Sequence, residues 1–161
     1  MAEMDKMICR GRRLDNQEWV EGYFAILKWY LDEKPIAVII PEDATLYPHG
    51  ELCGFYPVDP ETVGRFTSLT DKNGKKIFER DVVRITSSDY MGFDEIGKVE
   101  FKFGCYGVSY FVAHVLLQDE QIFHRIGEVT EIREHGCCCT MKYSYEVIGN
   151  IHDNPELTKG V

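Results

Sequence analysis

With 161 residues, 44% of them hydrophobic and 12% aromatic, the chain is long enough to bury a core and too apolar to be disordered throughout. Lysine and arginine number 18 against 27 acids, and the formal net charge of −9 opposes a nucleic-acid polyanion as the main ligand. The longest unbroken apolar run, IAVII at residues 36–40, is far too short to cross a bilayer, and the opening MAEMDKMICRGRR lacks the apolar centre of a signal peptide. A cytoplasmic setting, with the six cysteines reduced, is therefore expected.

Residues 1–6 are polar and read as a loose tail. Arg10-Gly11-Arg12-Arg13 is a basic cluster, read as a solvated strand edge, with a phosphate-binding patch as the sharper alternative. Asp15-Asn16-Gln17 is a turn. Residues 18–27 read as a strand with apolar side chains on both faces, which implies burial on both sides or a twist. A polar connection over residues 28–34 leads to a strand at 36–40, which Pro41 ends. Residues 42–50 are loop, and residues 52–58 a short strand. Asp59-Pro60-Glu61-Thr62 has the chemistry to cap and start one helical turn, since Asp suits the N-cap and Pro the first position.

The chain is organised around residues 66–85, FTSLTDKNGKKIFERDVVRI. Residues 66–69 suit a short strand. In Asp71-Lys72-Asn73-Gly74 the Asp and Asn side chains can cap local amides, and Gly accepts the positive φ of a tight reversal. The pattern becomes extended again at residues 75–78. Residues 79–85 begin acidic and turn β-branched, with Val83 and Ile85 on one face and Val82 and Arg84 on the other. Residues 86–95 read as a ten-residue polar loop. Residues 97–103, GKVEFKF, alternate without a fault, which predicts Val99, Phe101 and Phe103 pointing in and Lys98, Glu100 and Lys102 pointing out. A hairpin turning at Gly104 and Cys105 leads to a strand carrying Tyr106, Val108, Tyr110 and Val112 on one face. From residue 114 to 136 the pattern is ambiguous: Gln118-Asp119-Glu120 reads as loop, and residues 122–126 as strand or helix. Tyr143, Tyr145 and Val147 mark the last strand, and Asn154 is placed to cap a terminal turn. A D-V-V-x-I strand, a long polar loop and a G-x-V-x-F strand is how small five-stranded Src-homology-3-type barrels begin.

The run DKNGKKIFERDVV, preceded by DPETVGRFTSL and followed by YEVIGNIHDNPEL, resembles the YopX family of phage and prophage proteins. The segment RGRRLDNQEWVEGYF with a later IIP is similar to the start of many members. The likeness covers residues 9–40 and 55–103 loosely and 145–157 tightly, and leaves residues 113–143 unmatched. It departs at Ser68 and Arg80, where the family usually has Gly; Arg80 then requires either a backbone without positive φ or local strain. The resemblance implies a β-rich fold with an SH3-like barrel and a bacterial mobile-element setting. It implies no reaction and no catalytic residues. The fold expected is thus mainly β: an antiparallel N-terminal β subdomain, residues 1–64, packed on a small SH3-like barrel with a short C-terminal tail, residues 65–161, with few short helical turns. A single continuous unit is the alternative.

No constellation reads as a catalytic centre. In Cys137-Cys138-Cys139 with His135, neighbouring strand residues point to opposite faces, so only Cys137 and Cys139 converge and no second ligand pair exists; small apolar strand residues are the simpler reading. Asp71-x-Asn73 opens like a calcium loop, but Lys75 and Val82 stand where further ligands belong. Glu79 and Asp81 share a strand face and are read as caps for loop amides rather than an acid–base pair. The five histidines show no metal spacing, and no phosphate-binding glycine motif is present.

The expectation for function is a non-catalytic protein-interaction or regulatory module with no cofactor and no metal. A nucleic-acid-binding regulator and an enzyme of unrecognised type are the alternatives. The partner expected is a protein, with no membrane involved and a homo-oligomer compatible with the sequence. The recognition edge is placed at the 71–76 turn and the following loop, with Asp71, Asn73, Tyr90, Met91 and Phe93 as contact residues, because large apolar side chains in a polar loop mark contact surfaces.

Overall fold

The computed structural model describes residues 7–28, 34–50, 52–87, 93–114, 117–127, 130–134 and 137–158, and for residues 111–114, 117–121, 130–134 and 137–141 the backbone alone. The chain forms two compact units, Met1–Phe66 and Thr67–Val161. The structure is mainly β and antiparallel, as the period-two runs predict.

In the first unit, β1 (Ile8–Arg13) pairs with β2 (Trp19–Lys28), and β2 pairs with β3 (Pro35–Ile40). The two-residue strands β4 (Thr45–Leu46) and β5 (Leu52–Cys53) pair with each other. The 15-residue strand β6 (Tyr56–Thr70) pairs with β3 through Val38↔Pro57 and with β1 through Arg13↔Val58. These four ladders close into a ring, β1-β2-β3-β6-β1. Cys9, Ile39 and Val58 are its buried core, with Val20, Ala37 and Val63 packed against them. The strand at 18–27 is not buried on both faces: Phe24 and Ile26 are exposed.

The helical turn expected at Asp59-Pro60-Glu61-Thr62 is instead a bulge inside β6. Arg12 pairs with Asp59 but Arg10 pairs with Gly64, so the β6 side carries extra residues between the two rungs. The capping chemistry is present but local: Asp59 Oδ1 accepts from the Glu61 amide, and Thr62 Oγ1 donates to the Asp59 carbonyl. The Arg12 amide then donates to Thr62 Oγ1, so pairing with β1 uses the groups that would have begun a helix.

In the second unit, β7 (Lys76–Phe78) neighbours β6, and the buried Thr67 donates its hydroxyl to the Ile77 carbonyl at 2.9 Å. A five-stranded sheet follows, built from β8 (Asp81–Ser87), β9 (Asp94–Lys102), β10 (Cys105–His114), β11 (Leu117–Arg125) and β14 (Tyr143–Asn150). Its spatial order is β11-β10-β9-β8-β14. Between β11 and β14, β12 (Thr130–Glu134) and β13 (Cys137–Met141) form a separate hairpin. A 3₁₀ turn, Pro155–Thr158, follows the residue Asn154 that was expected to precede a terminal turn. One face of the sheet supplies the core: Val83 and Ile85, Val99, Val108 and Tyr110, Tyr145 and Val147, closed by Ile77 and Ile126.

Four expectations are corrected here. The polar loop is shorter than residues 86–95, because β8 extends to Ser87 and β9 starts at Asp94. Gln118-Asp119-Glu120 lies in β11, where pairing with β10 through Val112↔Glu120 satisfies its backbone whatever its polarity. The β9–β10 hairpin turns at Phe103-Gly104, both at positive φ (53° and 79°), one residue earlier than predicted. Of the three residues expected inside, Val99 is fully buried, whereas Phe101 is 47% and Phe103, in the turn after β9, 90% exposed. The Val99 carbonyl takes the Arg80 amide, and β8 pairs only as far as Lys98, so among the described residues no strand pairs with the end of β9 on that side.

The 71–74 reversal is as predicted, with Gly74 at φ 80° and its amide donating to the Asp71 carbonyl at 2.9 Å. Ser68 and Arg80, the two departures from glycine, both adopt positive φ, at 68° and 71°. The strain foreseen for Arg80 is therefore real, and Ser68 carries it as well. A side chain at Gly74 would meet open space, so only backbone strain opposes one. Gly74→Val is expected to cost about 1–2 kcal/mol, whereas Ser68→Gly is expected to gain about 1 kcal/mol by relieving the same strain. Urea unfolding of the two variants beside the parent checks both signs.

Candidate functional site

The turn after β6 is built on one carboxylate. Asp71 is buried, and its Oδ1 accepts from the amides of Asn73 (2.8 Å) and Lys75 (2.9 Å). Its Oδ2 accepts from the amide of Val147 in β14 at 3.0 Å, and the Lys72 amide donates to the Tyr145 carbonyl at 2.9 Å. Burial raises the Asp71 pKa, but these amides, together with the nearby Lys75 charge, outweigh it and hold the carboxyl below its ordinary range. Asp71 thus fastens the turn to the last strand, and its carboxylate faces amides rather than a partner. Asn73 is exposed at the tip of the turn.

Tyr90 and Met91 lie outside the described residues. Phe93 packs back on the core, edge-on to Tyr110 (ring centroids 6.0 Å) and Tyr143 (5.5 Å). His124 extends this aromatic group, 4.4 Å from Tyr143. Burial pushes the Tyr110 phenol up to about 12 and raises that of Tyr145 further, so both stay protonated. The described members of the predicted edge therefore separate: Asp71 and Phe93 build the fold, and Asn73 alone faces out.

The outer face of β9 carries a charged network that pattern reading placed outward without seeing its connections. Lys98 Nζ lies 2.6 Å from Glu100 Oε1, and Lys102 Nζ lies 2.5 Å from Glu100 Oε2. The buried Ser109 in β10 donates to Glu100 at 2.7 Å and accepts from Lys102 at 3.2 Å. Burial raises the Glu100 pKa, but the bonds from Lys102, Lys98 and Ser109 prevail and bring it down to about 2. Serine beside lysine and carboxylate suggests a nucleophile with its base. The carboxylate that takes the serine proton is too weak a base for that role, and the hydroxyl is wholly inaccessible to a substrate.

Beside this network a groove of about 190 Å³ opens in the second unit, lined by Glu79, Arg80, the β9 residues 98–102 and Ile151. Its wall is shaped by the strained Arg80, whose amide donates to the Val99 carbonyl and whose carbonyl accepts from the Ile151 amide. Of the hairpin's aromatic residues, Phe101 lines the groove. Phe101 meets Tyr106 edge-on at 5.0 Å, and Phe103 meets Phe123 at 5.6 Å. Sequence reading missed this site because it assigned both phenylalanines to the core by parity.

The remaining candidates lead elsewhere. Asp81 caps the Phe78 amide at 2.8 Å, as read from the sequence. In β1, the Arg10 guanidinium lies 4.7 Å from the Trp19 ring centroid, Arg12 Nε donates to the Gln17 carbonyl, and Arg13 lies over Tyr56 at 4.1 Å while pairing with Asp15 at 2.5 Å. The Arg cluster is thus tied into its own unit. Cys137, Cys138 and Cys139 lie on β13 with their side chains undescribed, and His135 lies outside the described residues. Among the described residues no group of three or more His, Cys, Asp or Glu is placed to hold a metal ion, and no helix is long and apolar enough to cross a membrane.

A family model described as YopX protein matches residues 37–159, most of the chain, leaving β1 and β2 outside the match. No curated protein matches the chain.

Asp71→Ala is expected to destabilise the protein by about 2–3 kcal/mol, since it strips a charged acceptor from three amides. Because the folded carboxyl lies below its ordinary 3.8, this contribution is complete above that value and fades as pH falls through the folded pKa. Denaturant unfolding should therefore show the full gap between variant and parent at pH 7 and a narrowing gap in acid.

Proposed function

The chain belongs to the YopX family, and from that premise we propose that it is a non-catalytic module that binds a protein partner through the tip of the β9–β10 hairpin. One observation carries this reading. Phe103 occupies the first position of a two-residue turn at φ 53° and is 90% exposed. Such a turn favours Asn, Asp or Gly there, because both central residues need positive φ. A solvent-facing phenylalanine in that place is unfavourable for the backbone and for solvation at once, which is the mark of a residue kept for contact rather than for folding. With Phe123 packed edge-on against it at 5.6 Å, the tip presents aromatic surface of the kind that anchors protein interfaces.

The setting proposed is a bacterial cytoplasm carrying a phage or prophage element, and a homo-oligomer is compatible with it. The second unit is proposed to have an SH3-like relationship, with its hairpin tip as the recognition end. Nucleic acid as the main ligand is disfavoured by the net charge of −9 and by the engagement of the β1 arginines within their own unit.

The test is a single substitution whose effects on stability and binding have opposite signs. Phe103→Asn creates the Asn-Gly pair that this turn prefers, so stability should be kept or rise by a few tenths of a kcal/mol. Tagged parent and variant are then used for affinity capture from a lysogenic host, with mass spectrometry of the eluates. The expected result is a protein recovered with the parent and lost with the variant. Identical eluates reject the hairpin as the site. Recovery of nucleic acid alone, with steep salt dependence, rejects the functional class.

A further inference from the structure

The β12–β13 hairpin sorts four sulfur-bearing residues by its register. β13 reads Cys137-Cys138-Cys139-Thr140-Met141. Alternate residues of a strand share a face, so Cys137, Cys139 and Met141 fall on one face and Cys138 and Thr140 on the other. Pairing carries the division across to β12. Cys137 stands opposite Glu134, Cys139 opposite Ile132 and Met141 opposite Thr130, and directly paired residues share a face. The face with three sulfur residues thus includes a carboxylate residue, Glu134, to which a cation is attracted. The hairpin's arginine, Arg133, is paired with Cys138 and belongs to the other face.

The spacing decides what two such cysteines can share. Alternate residues on a strand stand about 6.6–6.8 Å apart, and their β-carbons repeat at the same interval. A disulfide needs its β-carbons at about 3.8 Å, far closer than strand geometry allows. Two sulfurs can instead converge on an ion between them, because metal–sulfur bonds are about 2.3 Å long. Met141 lies one interval beyond Cys139, and an unbranched thioether with three rotatable bonds suits the longer reach.

The donor type decides the ion. Structural zinc takes four ligands from cysteine, histidine and carboxylates, and the run Cys-x-Cys-x-Met offers a thioether and no second cysteine pair. Thiolate and thioether ligands together select Cu(I), a soft cation content with two or three of them. The lack of a second pair, which speaks against zinc, is therefore no obstacle to Cu(I).

We propose that the face of β13 carrying Cys137, Cys139 and Met141 is a Cu(I) site, with the two cysteines as thiolate ligands and Met141 as a thioether third. Each thiol releases its proton on binding. The site is separate from the hairpin tip at Phe103, and neither reading depends on the other. β12 and β13 form a two-stranded sheet of their own, and a ladder of that size is marginal by itself in water, so the bound ion also steadies the hairpin.

The test titrates Cu(I) into the full reduced chain without oxygen, against bathocuproine disulfonate as the competing chelator. Cys137→Ser and Cys139→Ser should each lower Cu(I) affinity at least tenfold, Met141→Leu should lower it less, and Cys138→Ser should leave it unchanged. The double variant Cys137→Ser/Cys139→Ser gives the background from the remaining cysteines. The Cys138→Ser and Cys139→Ser pair is decisive, because without strand alternation any two neighbouring thiols serve and the two variants lose equally. Hydrogen exchange of the amides at 130–134 and 137–141 should slow with Cu(I) in the parent and in Cys138→Ser, but not in the double variant. X-ray absorption of the parent loaded with one equivalent of copper needs no variant, and should show sulfur neighbours alone. No uptake above the double variant's background, equal losses for Cys138→Ser and Cys139→Ser, or nitrogen or oxygen neighbours around the copper overturns the proposal.

Discussion

The second unit depends on the carboxylate of Asp71. Its Oδ1 closes the 71–75 turn, and its Oδ2 reaches 76 residues along the chain to the Val147 amide in β14. β14 pairs with β8, β8 with β9, and β9 with β10, so the one residue that shapes the turn also sets where the last strand sits relative to the turn. A buried carboxylate is costly unless its lone pairs are filled, and here three backbone amides fill them. The ion pairs Lys72–Glu146, from the turn to β14, and Arg84–Asp94, between β8 and β9, are solvated and contribute little by comparison.

Against this well-satisfied frame, three non-glycine residues among the described residues of the second unit stand out by their positive φ. Ser68 lies near the end of β6, Arg80 precedes β8, and Phe103 turns the β9–β10 hairpin. Arg80 and Phe103 bracket the same stretch of β9, where Phe101 is half exposed and the groove opens. Local strain and exposed aromatic surface thus coincide on one end of the sheet. The opposite case is Phe93, which sits in a polar loop yet packs on Tyr110 and Tyr143, so a large apolar residue in a loop need not be a contact residue.

The family match covers residues 37–159 and so includes the turn, the whole second unit's sheet and the groove, while β1 and β2 fall outside it. Yet β1 and β2 complete the ring of pairings with β3 and β6 in the first unit. The part of the chain that the family model matches is therefore not the whole of what the first unit needs to close its core.

What the sequence determined by itself is what neighbouring residues decide. The Asp71–Gly74 turn, the strands at 36–40 and 143–147, the β-branched part of the strand read at 79–85, and the caps at Asp59 and Asp81 depend on neighbouring residues, and all were legible. The mainly β class follows in the same way from period-two alternation. What only the tertiary structure decided is what depends on a distant partner. Alternation gives Phe101 the same parity as Val99, but burial needs a covering strand, and β8 pairs no further than Lys98. Asp59 caps a turn in either structure, but pairing with β1 makes that turn a bulge rather than a helix. Asp71 was legible as a turn residue and not as the fastening of β14, because nothing local distinguishes an oxygen that faces water from one that faces an amide 76 residues away. The candidate site lies on the second side of this division: its residues were visible in the sequence, but their exposure is set by where β8 ends.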